Sequence, residues 1–170
     1  MSLTIEPARS DDDIQDVTRL AWAFVALLKD RYPERIAQID EYLKRQRFEE
    51  MLADYSTYFM PPTGECMLAR LDGMAVGIVM LKPSEGSLCE MNRMYVDAQA
   101  RGHGIGRKLC NALISRALEL GYTQMQLGAL NRHVEALPLY QSLGFERLPD
   151  PPGYTAESGV IHMRKTLSPA

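Results

Sequence analysis

Cysteine is scarce and scattered in this chain. Its three residues, Cys66, Cys89 and Cys110, form no Cys-x-x-Cys pair, and an odd count closes no disulfide framework. The three histidines, His103, His133 and His162, fall into no His-Glu-x-x-His, so no metal is expected. No apolar run reaches the roughly 18 residues that span a bilayer, which argues against a membrane partner. The first six residues, Met1 to Glu6, lack the basic and apolar regions of a signal peptide, so a cytoplasmic location is expected. Neither sign of charge dominates: 19 Lys and Arg stand against 22 Asp and Glu, for a net charge of −3. With a pI near 5.6 there is no basic surface for a nucleic-acid partner.

What remains is an ordinary globular mixture. Hydrophobic residues make up 46% of 170, enough for one domain over residues 1–170. Leu3 to Ala8 predicts a first strand. Ser10-Asp11-Asp12-Asp13 predicts a helix start, with a capping serine and an acidic first turn. Ile14, Val17, Ala21, Phe24 and Leu28 then share one helical face. Pro33 opens a second helical stretch with Ile36, Ile39 and Leu43 as its stripe, and Lys44-Arg45-Gln46-Arg47 reads as a solvated face. Asp72-Gly73 joins two strands, Cys66–Leu71 and Met74–Leu81, in a tight hairpin. Leu88 to Val96 continues the meander. A helix over Gly104–Leu120 stops at Gly121, and Gln124–Leu130 is a strand. A short helix reaches Gly144, and Phe145–Leu148 and Gly159–Leu167 are the last strands. An antiparallel meander followed by strand–helix–strand predicts a mixed sheet in an α/β or α+β domain.

The most informative stretch runs from Val96 to Leu109. A strand ends, Arg101-Gly102-His103-Gly104-Ile105-Gly106-Arg107 turns, and an amphipathic helix begins. Unpaired backbone N–H groups at the positive end of a helix make an anion site. Glycines at 102, 104 and 106 let that backbone approach a phosphate, and Arg101 and Arg107 add positive charge. The spacing is not that of a P-loop, and it lacks the third glycine of a Rossmann fingerprint.

On these residues the sequence resembles the GNAT family of N-acetyltransferases. The family's pyrophosphate loop reads Q/R-x-x-G-x-G/A after its fourth strand. Arg101 to Gly106 matches it, and Gln99 to Gly104 matches it two residues earlier. The later register puts Ile105 and Leu109 at the start of the buried helix face. Downstream, Asn131, Ala136, Leu139-Tyr140 and Leu143-Gly144-Phe145 look like the family's N…A…LY…LGF segment. The resemblance covers about Cys66 to Leu148. It implies a mixed, mostly antiparallel sheet of six to seven strands flanked by about four helices and splayed at the fourth and fifth strands. It also implies acetyl transfer from acetyl-CoA, in a ternary complex, to the amine of a small molecule or peptide. A non-catalytic CoA-binding sensor or interaction module is the alternative on the same fold. A homodimer through the C-terminal strands is expected by the family's habit.

The chemistry asks for a base to take the amine's proton and an acid for the leaving thiolate. The resemblance places Tyr140 as the acid. Glu90 is the candidate base, with Asn92, Asp54 and a water chain as its rivals. Cys89 and Met91 share one phase of their strand, and Met94 and Val96 share the other. One extra residue between them, a β-bulge, would bury all four and turn Glu90 to the opposite face, toward the cleft. By resemblance, the backbone of Met94, Tyr95 and Val96 would hold the pantetheine, residues 101–107 the pyrophosphate, and Asn131 the CoA arm. His103 faces solvent or the phosphates. Cys89 reads as a packing residue and His162 as a packing or pairing one, Trp22 and Tyr154 either line an acceptor pocket or pack, and Pro138 would start or distort the short helix.

Overall fold

The computed structural model describes residues 2–150, 152 and 160–168. Strand β1 (Leu3–Pro7) leads into helix α1 (Asp11–Arg31). The Ser10 hydroxyl accepts from the Asp13 amide at 3.1 Å, and the Asp13 carboxylate accepts from the Ser10 amide at 3.2 Å. This reciprocal cap contributes about 1 kcal/mol and fixes the helix start where the sequence places it. Past Tyr32 a 3₁₀ turn at Pro33–Arg35 leads into α2 (Ile36–Arg45). Two short helices follow, α3 (Phe48–Ala53) and α4 (Tyr55–Tyr58). The break before α3 is Arg47, whose φ of 54° no continuous helix accepts. The basic run around it is solvent-facing, as expected, and Arg47 pairs with Glu50 at 2.5 Å.

Next come β2 (Glu65–Leu71), β3 (Met74–Pro83) and β4 (Leu88–Val96). Helix α5 (Ile105–Glu119), β5 (Gln124–Leu130), α6 (Ala136–Ser142), β6 (Glu146–Arg147) and β7 (Val160–Thr166) complete the order. The seven strands form one mixed sheet ordered β1-β2-β3-β4-β5-β7-β6. Its only parallel pair among the described residues is β4 with β5. The described residues hold six α-helices rather than about four, because the helical stretch after Pro33 divides. Pro138 lies in the first turn of α6, where its missing N–H removes no helical bond, so that helix is not distorted.

The sheet separates two cores. On the α5 face, Met67, Val79, Leu81, Met91, Leu109, Leu113 and Met125 pack together. On the face of α1, α3 and α4, Val17, Leu20, Phe48, Leu52, Ile78 and Met80 do the same. One buried charge ties the layers. Glu65 is 0% exposed and takes Arg9 on both carboxylate oxygens at 2.8 Å, while Arg116 of α5 adds a third contact at 2.8 Å. Burial pushes its acidity down toward the neutral form, but the two guanidinium groups outweigh that, so its pKa lies below the ordinary value.

Candidate functional site

The site is built on an irregularity in β4. Its pairing with β3 runs Met80 to Asn92 and then Ile78 to Tyr95, so Arg93 and Met94 together oppose the single residue Val79. This is the bulge that the phase of the apolar residues predicts. Cys89, Met91 and Val96 are buried in the α5-side core and Met94 packs against it. Glu90, Asn92 and Tyr95 turn the other way.

The bulge also parts the sheet. β4 and β5 are paired only at Leu88–Gln124, Cys89–Met125 and Glu90–Gln126. Beyond Glu90 the strands run without a common ladder. The Asp97 amide donates to the Val76 carbonyl at 2.8 Å, which fixes the alternation of the strand end. Met94 and Val96 therefore turn their backbone groups into the gap, while Tyr95 turns its own toward β3. Of the three residues expected to hold a pantetheine-like arm, two face the gap. The Val96 carbonyl already accepts from Arg101 Nε at 3.0 Å.

The glycine loop follows. Gly102 and Gly104 have φ of 87° and 71°, the left-handed region that strains other residues. A Cβ at either position would meet nothing within 4 Å, so the space over the loop is open. Gly104 caps α5, and the first helical donor is the Lys108 amide, which reaches Gly104 O at 3.1 Å. The amides of Ile105, Gly106 and Arg107 are thus left without helical acceptors and form an anion cradle. Ile105 is buried beneath the cradle and His103 is exposed at its edge. The Arg107 guanidinium donates to Ser142 Oγ at 2.7 Å, which ties α5 to α6.

Tyr140 and Glu90 come together in the wall of one cavity of about 690 Å³. Tyr140 is buried edge-on against Phe145, with ring centroids 6.1 Å apart. Burial raises its pKa well above that of ordinary phenol, so it stays protonated through neutral pH. Among the described residues its hydroxyl has no hydrogen-bond partner. Glu90 pairs with Lys82, its cross-strand neighbour, at 3.0 Å. Lys82 is 46% exposed, so this ion pair is weak and leaves the carboxylate available as an acceptor. Asn92 shares the cavity. Asp54 does not: it is exposed between α3 and α4 and accepts from Thr57. Asn131 ends β5, and its carbonyl oxygen accepts from the Tyr32 hydroxyl at 3.1 Å.

The remaining residues singled out in the sequence take these places. His162 lies opposite Gly128 in β7, exposed and in the cavity wall. Trp22 lies outside that wall, edge-on to Phe48 with centroids 4.9 Å apart. Tyr154 lies outside the described residues. Among the wall residues that went unread are Tyr32, Arg93 and His133. The only available signal for His133 was its place two residues after Asn131. Burial, followed by the nearby Arg31, lowers its pKa, and its Nε2 is buried without a partner among the described residues. Among the described residues no group of His, Cys, Asp and Glu could hold a metal ion.

Comparison with known proteins agrees with this fold. Residues 22–145 match the model of the acetyltransferase (GNAT) family. An uncharacterised N-acetyltransferase of Schizosaccharomyces pombe is 32% identical over 76% of this chain and 85% of its own length. The human N-acetylaspartate synthetase is 38% identical over 72% of this chain but only 41% of its own length. The chain thus spans less than half of that relative. Among solved structures, the PaiA N-acetyltransferase of Thermoplasma acidophilum, in complex with coenzyme A, superposes with a TM-score of 0.72 at 17% identity, covering 98% of this chain and 99% of that one. A GNAT-family acetyltransferase of Staphylococcus aureus gives 0.74 at 18% identity, over 98% and 100%. The chain belongs to the GNAT acetyltransferase family.

Proposed function

We propose that the chain is an acetyl-CoA-dependent N-acetyltransferase that serves the amine of a small molecule or peptide by direct transfer in a ternary complex. The observation that carries this reading is the meeting of Glu90 and Tyr140 in one cavity at the parted strands, with the amide cradle of α5 next along the chain. The gap-facing groups of Met94 and Val96 take the pantetheine arm, and the amides after Gly104 take the pyrophosphate. Asn131, held by Tyr32, lies at the end of the facing strand for the CoA arm. Acetyl-CoA supplies the acetyl group and leaves as the free thiol. Glu90 accepts the ammonium proton, directly or through water, so that the nitrogen can attack the thioester carbon. As the carbon–sulfur bond breaks, Tyr140 donates its proton to the sulfur, the nitrogen gives up its second proton to water, and Tyr140 is reprotonated from solvent.

Among the described residues no helix is long and apolar enough to cross a membrane. A cytoplasmic setting is part of the proposal, and three buried free thiols suit a reducing compartment. A homodimer is also part of it. Among the described residues β6 pairs with β7 at Met163 and Arg164 and the Leu148 amide donates to the His162 carbonyl, and a second copy could pair with the rest of the β7 backbone. Light scattering at the monomer mass would refute the dimer.

The test of function is release of thiol from acetyl-CoA over a panel of amines, with calorimetry of CoA binding beside it. Binding without thiol release on any amine would instead support a CoA-binding module. Gly104→Val places a side chain in the open space over the cradle. In a protein whose folding is confirmed by its melting curve, it should weaken CoA by more than tenfold, a factor of about 1.4 kcal/mol. Unchanged affinity would remove the loop from the binding site.

A further inference from the structure

Arg93 has a backbone that is costly to hold and a side chain that acetyl transfer does not use. It sits in the bulge at φ 50°. That conformation is costly for a non-glycine residue, and such outliers gather at ligand clamps. The side chain leaves β4 on the face of Glu90 and Asn92, and its guanidinium carbon lies 4.9 Å from the centre of the Phe48 ring. Stacking occupies one flat face of a guanidinium. The N–H edge in its plane stays open to a planar anion.

No counter-ion meets that edge. Among the described residues no carboxylate lies within ion-pair distance of Arg93, and its side chain makes no hydrogen bond. Burial opposes its charge, against weaker support from Tyr42 and Glu90. Arg93 is partly buried, and a partly desolvated cation without a partner is less favourable than a paired one. The open side of this one is the cavity. Among the described residues the same wall holds one carboxylate, Glu90, and it is already shared with Lys82.

We propose that Arg93 receives a carboxylate of the acceptor, so that the acceptor is an amino-acid-type amine bearing a free acid group. This rests on the N-acetyltransferase reading above. Glu90 and Arg93 stand three residues apart on one strand, with their side chains on one face. The base end and the acid end of such a substrate therefore have separate places in the same cavity. Arg93 touches the substrate away from the reacting atoms and acts on selectivity and affinity.

The experiment measures thiol release with L-amino acids, each paired with its own carboxamide, at a pH where both amines are free base. The wild-type kcat/KM should favour the acids by roughly 30-fold, in the range that a desolvated charge pair contributes. Arg93→Met keeps an aliphatic chain over Phe48 and removes the charge. It should bring the acid-to-amide ratio close to one, through a rise in KM for the acids. Arg93→Lys should retain part of the preference. A wild-type ratio near one overturns the assignment, as does a folded Arg93→Met protein with its preference intact. If Arg93→Met does not fold, the wild-type ratio alone decides. Thiol release that ignores the acid group overturns this assignment only, whereas no release with any amine overturns the transferase reading with it.

Discussion

At the scale of single residues, the proposed acid and base differ in how their surroundings prepare them. Burial keeps Tyr140 protonated far above neutral pH, so it can donate but does not ionise on its own. Tyr140→Phe keeps the ring against Phe145 and removes only the hydroxyl. It should lower kcat by roughly 10²-fold, within the usual range for general acid–base groups, with CoA affinity barely changed. Steady-state kinetics beside calorimetry checks both halves, and a kcat near wild type would remove the acid. Glu90 sits half-exposed beside Lys82. Glu90→Gln should impair turnover most near neutral pH, where the acceptor is an ammonium, and less at high pH, where the free amine is abundant. A deficit equal at every pH would make Glu90 a binding group. Their place in the cavity wall was legible in the sequence, Tyr140 through its Leu-Tyr motif and Glu90 through the phase change of β4. Arg93 was not, for a physical reason. The bulge itself decides which face each residue takes, and sequence phase locates the extra residue only to within the span from Met91 to Met94.

At the scale of elements, legibility followed how local the determining forces are. The α1 cap, the Asp72-Gly73 hairpin and the helix after Gly104 rest on short-range chemistry, and each appears where the residues put it. The division of the helical stretch after Pro33 does not. No glycine or proline marks the breaks at Arg47 and Asp54; they follow from fitting Phe48, Leu52 and Tyr55 into the core on that face. β6 shrinks to the two ladder residues Glu146 and Arg147, with the Leu148 amide adding one bond to the His162 carbonyl. The Glu65 tie was equally invisible, since its arginines lie 56 and 51 positions away. Its role can be measured. Glu65→Gln leaves Arg9 and Arg116 facing each other without a counter-charge. Breaking a buried pair on one side costs about 3–5 kcal/mol, and at roughly 2–4 °C per kcal/mol the melting temperature should fall by about 10 °C. A fall of only a degree or two in a thermal melt would show that solvent screens this contact.

At the scale of the whole molecule, the parted strands divide the sheet into unequal halves. β1 to β4 form one, and β5, β7 and β6 form the other. Between them the sheet is continuous through only three residue pairs, Leu88 to Glu90 with Gln124 to Gln126. The cavity and the cradle lie where that continuity fails. A ligand whose arm pairs with the Met94 and Val96 backbone fills the missing part of the ladder and joins the halves. Binding to the folded state alone stabilises it by about 2.7 kcal/mol at a hundred times the dissociation constant, which should raise the melting temperature by roughly 5–10 °C. The rise should have a local signature in amide hydrogen exchange. Acetyl-CoA should slow exchange at Met94, Val96 and the amides of Ile105 to Arg107, and leave the β1–β2 ladder little changed. Tyr95, whose amide faces β3, serves as the internal control and should be protected with or without ligand. Stabilisation with no new protection at Met94 and Val96 would mean that the ligand binds elsewhere and that the parted strands serve some other purpose.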